Sequence, residues 1–177
     1  MQRFATPELF QRMMKEYYSM ITEVDAACRD IYEELERQGE LNNTLIIFTT
    51  DNGYFHAEHG LAGKWFPYQE SIRVPLIIRD PRMPVEKRGL TDSSFTLNID
   101  LAETILGAAN IKPPTGMQGR DIADIYLRDG QKDWRKEFFY DFAGLAGKYF
   151  MPKSLALVQK EMKLMKFPEW KELALFN

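Results

Sequence analysis

The stretch that most restricts how this chain can fold runs from Leu45 to Pro84: LIIFTTDNGYFHAEHGLAGKWFPYQESIRVPLIIRDPRMP. Leu45–Thr50 is a short apolar, β-branched run that breaks abruptly into Asp51-Asn52-Gly53, as a buried strand does when it empties into a loop. The carboxyl edge of an open α/β sheet is where ligands bind. The loop that follows carries ion-holding groups, Asp51, Asn52, His56, Glu58, His59 and Lys64, with glycines at 53, 60 and 63; both histidines of the chain lie in it. Glu70-Ser71-Ile72-Arg73-Val74-Pro75 closes it, and a second apolar run, Leu76-Ile77-Ile78, follows. A strand, a polar loop and another strand read as a site.

The donor types indicate the chemistry. Adjacent Asp51 and Asn52 offer a carboxylate and an amide carbonyl, both hard oxygen donors, which suit calcium or magnesium better than zinc. A lysine beside a divalent cation is repelled unless an anion lies between them, so Lys64 turns the pair into a clamp for a sulfate or phosphate oxygen. His59 suits a general acid or a hydrogen-bond donor to that anion. Plainer readings stand beside these. Asp-Asn-Gly is a common turn sequence, His56 reads as a surface or loop-packing residue, and Glu70 and Arg73 are spaced as a structural i, i+3 ion pair.

The 177 residues suffice for one domain with a real core; 45% are hydrophobic. A net charge of −3, with scattered lysines and arginines, leaves no electrostatic footprint for nucleic acid. The single cysteine excludes an internal disulfide and a Cys-rich zinc site. No apolar run approaches the roughly 20 residues that span a bilayer, and the start lacks the pattern of a secretory leader.

The first forty residues read as one amphipathic helix. Thr6 and Pro7 suit the N-cap and first helical position, and apolar residues recur at Phe10, Met13, Tyr17, Ile21, Val24, Cys28, Ile31 and Leu35 until Gly39. At 1.5 Å per residue it spans about 45–50 Å. Cys28 on that stripe reads as a buried structural thiol, and Asp25 as a solvated or capping residue. The order helix, strand, loop, short helix, strand predicts an α/β crossover and a parallel sheet. Phe95–Asn98 reads as a short strand and Ile99–Gly107 as a helix with Asp100 near its N-terminus. Gly119-Arg120-Asp121 opens a further short helix ending near Arg128-Asp129-Gly130. After Trp134, Phe138–Phe142, Ser154–Val158 and Met162–Phe167 read as a small antiparallel sheet.

In combination these motifs resemble a family. Asp51-Asn52-Gly53 after an apolar strand, Glu58-His59-Gly60, Gly63-Lys64 and Glu70–Arg79 are similar to the second half of the sulfatase catalytic domain, within the alkaline phosphatase-like superfamily. Tyr18–Asp25 resembles the helix before that strand and Asn98–Leu106 a later helix; the last forty or so residues resemble the small C-terminal subdomain. The resemblance implies an α/β fold: a partial alkaline phosphatase-like mixed or parallel sheet with flanking helices over residues 1–130, then a small antiparallel sheet subdomain over 131–177. It further implies that Asp51 and Asn52 are two ligands of one divalent cation, usually calcium with magnesium as the alternative. By the same carry-over Lys64 contacts the sulfate ester, and His59 contacts substrate or leaving group. The family's nucleophile is a formylglycine made from a C-x-P-S-R type motif. This chain has no such motif: its cysteine reads Cys28-Arg29-Asp30-Ile31-Tyr32.

The expectation is therefore the C-terminal part of a sulfatase acting on a sulfated carbohydrate or aryl sulfate, inactive alone, partnered by an N-terminal half that holds the formylglycine and the remaining acidic ligands. The parent protein is expected to be periplasmic, secreted or otherwise exported. Two other readings are a phosphatase or phosphodiesterase of the same superfamily and a non-catalytic remnant or interaction module. With its long helix and sheet edge unpartnered, the chain is expected to be poorly stable or to self-associate.

Overall fold

A computed structural model describes residues 4–128, 133–147 and 150–177. Helix α1 spans Pro7–Arg37, with the Thr6 side chain accepting from the Leu9 N–H at 3.3 Å. Glu8 in the first turn and Arg37 in the last complement the helix dipole. Gly39, at φ 72°, ends it. No residue of α1 is buried: its apolar stripe lies open, with Ile31 63% exposed. The expectation of a buried Cys28 is corrected accordingly; the thiol is exposed, because nothing in the described residues covers the middle of the stripe. Asp25 is solvated and pairs with Arg29 at 2.9 Å.

Strand β1 (Ile46–Thr49) pairs with β4 (Leu76–Arg79), and the pairing is antiparallel, Ile46 opposite Arg79 and Thr49 opposite Leu76. This corrects the expected parallel crossover for these two strands. A parallel return needs a crossover of a dozen or more residues that carries the chain back along the sheet. Here the connection stays beyond the end of β1, folding into the short hairpin β2 (Phe55–His56) and β3 (Ala62–Gly63) and the single turn α2 (Gln69–Ile72). The chain therefore re-enters at the end it left.

Phe95–Asn98 is not a strand; the segment is irregular until Asn98 opens helix α3 (Asn98–Ala108). Its backbone groups are taken by side chains. The Phe95 carbonyl accepts from Trp134 Nε1 at 2.8 Å, and the Leu97 N–H donates to Asp100 at 2.7 Å. Asp100, fully buried, also accepts from Arg120 N–H at 2.9 Å and from the Arg135 guanidinium, one of whose bonds is 2.7 Å. The short helix α4 is Ala123–Tyr126; of the end expected for it, Asp129 and Gly130 lie outside the described residues.

The antiparallel C-terminal sheet is present, with order β5-β6-β7-β8: Glu137–Phe142, Ser154–Gln159, Lys163–Phe167 and Glu172–Phe176. The fourth strand adds to the three expected; ELALF carries no β-branched residue and a single aromatic, a weak strand signal. Ala156, Val158, Met165 and Phe167 form the core, and Phe66, Tyr68 and Ile72 of the central loop pack against it. The loop and the sheet thus share one hydrophobic cluster. Among the described residues no helix is long and apolar enough to cross a membrane.

Candidate active site

Strand β1 ends where side chains from several elements take hold of its backbone. Thr49 Oγ1 donates to the Pro75 carbonyl at 2.9 Å, and Asn98 Nδ2 donates to the carbonyls of Thr50 at 3.2 Å and Asp51 at 2.9 Å. The Asp51 carboxylate accepts from the Asn52 N–H at 2.8 Å. Asn52 Nδ2 donates to the Gly53 carbonyl at 2.8 Å, which orients the amide so that its Oδ1 accepts from Lys64 Nζ at 2.8 Å. Asp51, Asn52 and Lys64, three of the four site residues expected from the sequence, therefore come together.

Gly53 is what allows this closeness. Its N–H donates to the Ser71 carbonyl at 2.8 Å, and a Cβ there would stand 2.0 Å from the Glu70 carbonyl oxygen. The strand end and α2 are thus pressed together at the one residue type without a side chain. The β2–β3 hairpin, with Phe55 opposite Gly63 and His56 opposite Ala62, then brings the chain back so that Lys64 follows β3 directly. Gly63 at φ 87° and Trp65 at φ 95° flank that lysine with left-handed backbone on both sides. For a bulky residue such a φ is an outlier that costs on the order of 1–3 kcal/mol and survives only where the surroundings enforce it. They do: Tyr140 Oη and Ser154 Oγ, from β5 and β6, donate to the Trp65 carbonyl at 2.9 and 3.3 Å. Burial pushes the Tyr140 phenol above its ordinary pKa, although Ser154 pulls it down, so it remains a donor at neutral pH.

His59 lies at the hairpin tip, also in a left-handed conformation at φ 54°. Its ring stacks on Tyr68 at 4.2 Å and 18°, and its Nε2 is 3.5 Å from Glu70 Oε1. The ion pair expected between Glu70 and Arg73 is thereby corrected. The α2 turn ends at Ile72, Arg73 is already extended, and Glu70 faces His59 instead. Glu70 also opposes the burial that lowers the Lys163 pKa. His56 packs edge-on against Tyr17 at 4.3 Å, and its Nδ1 is buried without a hydrogen-bond partner among the described residues.

Sequence reasoning gave no site role to Asn98, Tyr140 or Ser154. Asn98 sits just ahead of an apolar helical run, where an asparagine reads as a cap. Tyr140 and Ser154 reach Trp65 across 75 and 89 residues of chain, a distance over which no local pattern signals contact.

As to a metal, the Asp51 carboxylate and Asn52 amide oxygen form a hard-oxygen donor set, and the Asn52 oxygen already faces the cationic Lys64 ammonium. These donors fit calcium or magnesium, which bind oxygen ligands, as part of a shell of about six to eight. Among the described residues no three His, Cys, Asp or Glu side chains gather as a complete metal site.

A family model described as Sulfatase matches residues 2–111, and one described as N-sulphoglucosamine sulphohydrolase, C-terminal, matches residues 57–177. The chain is 33% identical over 160 residues to an N-acetylglucosamine-6-O-sulfatase of Bacteroides thetaiotaomicron, covering 89% of this chain and 28% of that protein. Among solved structures it is similar to a protein in complex with its substrate D-glucosamine-2-N,6-O-disulfate. There the TM-score is 0.88 and the identity 31%, over 96% of this chain and 34% of that one. It is also similar to a phosphonate monoester hydrolase of Agrobacterium radiobacter, with TM-score 0.81 and 25% identity, over 96% of this chain and 35% of that one. The chain thus spans about a third or less of the length of these relatives. Sulfatases use a divalent cation, and two models together match the chain from residue 2 to its last residue over a fold shared across the alkaline phosphatase-like superfamily: the chain belongs to the sulfatase family.

Proposed function

We propose that this chain supplies part of the cation site and the sulfate-binding lysine of a sulfatase that hydrolyses a sulfate ester of a carbohydrate. The observation that carries the reading is the Lys64 Nζ to Asn52 Oδ1 contact of 2.8 Å beside the Asp51 carboxylate. It puts one cationic donor at hydrogen-bond distance from one hard oxygen donor, in the residue next to another. Asp51 and Asn52 hold the divalent cation, calcium or magnesium, which when bound polarises the sulfate oxygens. Lys64 donates to one of those oxygens and neutralises charge that develops on it. His59 donates a hydrogen bond toward the ester or leaving oxygen, with Glu70 and Tyr68 fixing its ring. The formylglycine nucleophile and the remaining acidic ligands belong to the N-terminal part of the parent, so the chain alone is inactive. The sulfated aminosugars in the names of its relatives support a sugar substrate.

A second reading, hydrolysis of a phosphonate or phosphate ester, is favoured by the likeness to the phosphonate monoester hydrolase. Asn52 in place of a histidine beside Asp51 counts against a second metal there. The test is hydrolysis of an aryl sulfate, N-acetylglucosamine 6-sulfate and an aryl phosphonate monoester with calcium present. Two samples are compared, the chain alone and the chain joined in frame to its upstream coding sequence. Sulfate ester hydrolysis by the joined protein only, falling about 100-fold or more in kcat/KM in Lys64→Ala and Asp51→Ala, supports the proposal. Unchanged activity in both variants overturns the site assignment, and a preference for the phosphonate favours the second reading.

A further inference from the structure

Trp65 is the side chain in the site that the proposed chemistry leaves without a task. Its backbone is in a conformation that a bulky residue does not adopt unaided, φ 95°. Two donors from the C-terminal sheet, Tyr140 Oη and fully buried Ser154, converge on its carbonyl. The indole is only half-buried. It lies against Phe142, ring centroids 5.3 Å apart at 30°, and the Lys64 ammonium is 5.1 Å from its centroid. Holding a tryptophan there is costly if its only use is packing, since a glycine accepts the same φ without strain.

We propose that Trp65 is a specificity-determining residue, a platform on which the six-membered ring of a sulfated sugar stacks while its sulfate occupies the Lys64 clamp. This rests on the reading of Lys64 as the sulfate-binding lysine. The argument is one of reach. A sulfate oxygen at hydrogen-bond distance from Lys64 Nζ leaves the ester's carbon skeleton within about one ring width of the indole, given the 5.1 Å separation. A pyranose has an apolar C–H face that suits the indole and a polar edge that suits the rim of Lys64 and Asn52. Phe142 backs the indole, and Tyr140 and Ser154 fix its backbone. The residues that set sugar preference therefore include three positions outside the central loop.

The test uses the joined enzyme, with steady-state kinetics on N-acetylglucosamine 6-sulfate and on propyl sulfate, an ester without a ring, together with inhibition by inorganic sulfate. In Trp65→Gly, which removes the ring and relaxes the backbone, KM for the sugar ester should rise about ten-fold or more with kcat within about two-fold. Propyl sulfate KM and sulfate inhibition should move less than about two-fold, and Trp65→Tyr should recover most of the sugar affinity. Trp65→Gly that leaves the sugar KM unchanged, or raises the KM of both esters alike, overturns the inference; if Lys64→Ala still weakens sulfate inhibition, the clamp reading survives that failure. Sulfate inhibition unaltered in Lys64→Ala overturns the clamp and the platform together.

Discussion

Helix α1 and the loop between β1 and β4 are of similar length, and opposite kinds of interaction shape them. The helix is built from local terms: its Thr6 cap, exposed i, i+4 pairs such as Arg12–Glu16 and Asp25–Arg29, and no buried residue. The loop's regular structure is limited to the two-residue strands β2 and β3 and single helical turns. Yet Asn98 holds it at the Thr50 and Asp51 carbonyls, Thr49 at the Pro75 carbonyl, and Tyr140 and Ser154 together at the Trp65 carbonyl, while Gly53 and Ser71 tie it to itself. Periodicity told where the apolar side of the helix lies but not what covers it. The loop's function depends on partners that no period reveals. In this chain the segment that is easiest to recognise is the least constrained.

Changes on the two sides should show that contrast as a gradient of stability. The largest effect belongs to Gly53→Ala, which would push a methyl carbon to 2.0 Å from the Glu70 carbonyl. Denaturant unfolding should show a loss of about 3 kcal/mol or more, and a loss below about 1 kcal/mol would mean the strand end and α2 can separate cheaply. Next is Asp80, 4% exposed at the end of β4. Its burial alone would raise the carboxyl pKa, but Arg82 and the Tyr126 hydroxyl outweigh that and hold it below the usual carboxylate value. A depressed folded pKa stabilises above the unfolded value of about 3.9, and that stability is lost as pH falls through the folded value. The stability gap between wild type and Asp80→Asn should therefore be widest at neutral pH and shrink on acidification below about pH 4; a gap constant from pH 7 to pH 3 would remove the charge from the explanation.

Smaller again is Ser154→Ala, which deletes one of the two donors to the Trp65 carbonyl and should cost about 1 kcal/mol, read as a shift in denaturant midpoint at constant slope. Tyr140→Phe should match it, and the pair together should exceed the sum, because the carbonyl then has no donor. The smallest effect is expected on the helix. Asp25→Ala removes an exposed pair with Arg29 and should change stability by no more than about 0.5 kcal/mol; a loss above about 1 kcal/mol would show that α1 is held by more than its local contacts. The open stripe has its own measure. Sedimentation of the chain alone should show association that weakens on changing Ile21, Val24 and Ile31 to Ser, and a monomer with a cooperative thermal transition would contradict it.

Much of this was legible from residue order, for identifiable reasons. The apolar run into Asp51-Asn52-Gly53 announces a strand end with oxygen donors, and the resemblance of the combined motifs to the sulfatase family joins Lys64 to them. The antiparallel return of β4 was not legible, because four residues of one-turn helix look in sequence like the start of a crossover helix. Cys28 was misread for a related reason: an amphipathic stripe states a preference for burial and leaves the covering partner unnamed. Glu70 was assigned to the nearer partner by helical spacing, whereas the turn ends one residue too soon and His59, eleven positions back, takes the carboxylate. Phe95–Asn98 had the composition of a strand but gave its backbone groups to Trp134 and Asp100.

The two hydroxyls on the Trp65 carbonyl bear on how such a chain can be recombined. Exchanging the C-terminal sheet between relatives would look like a clean module swap, since among the described residues its strands pair only with one another. Any donor sheet without a hydroxyl at both the Tyr140 and Ser154 positions, however, would arrive without the means to keep a tryptophan in its left-handed turn. The chimera would fold its new sheet and still lose the shape of a loop some seventy residues away. Compatibility of the two parts therefore depends on a pair of oxygen atoms as well as on the shared hydrophobic cluster, and hybrid sequences that keep the cluster can be screened for those two positions.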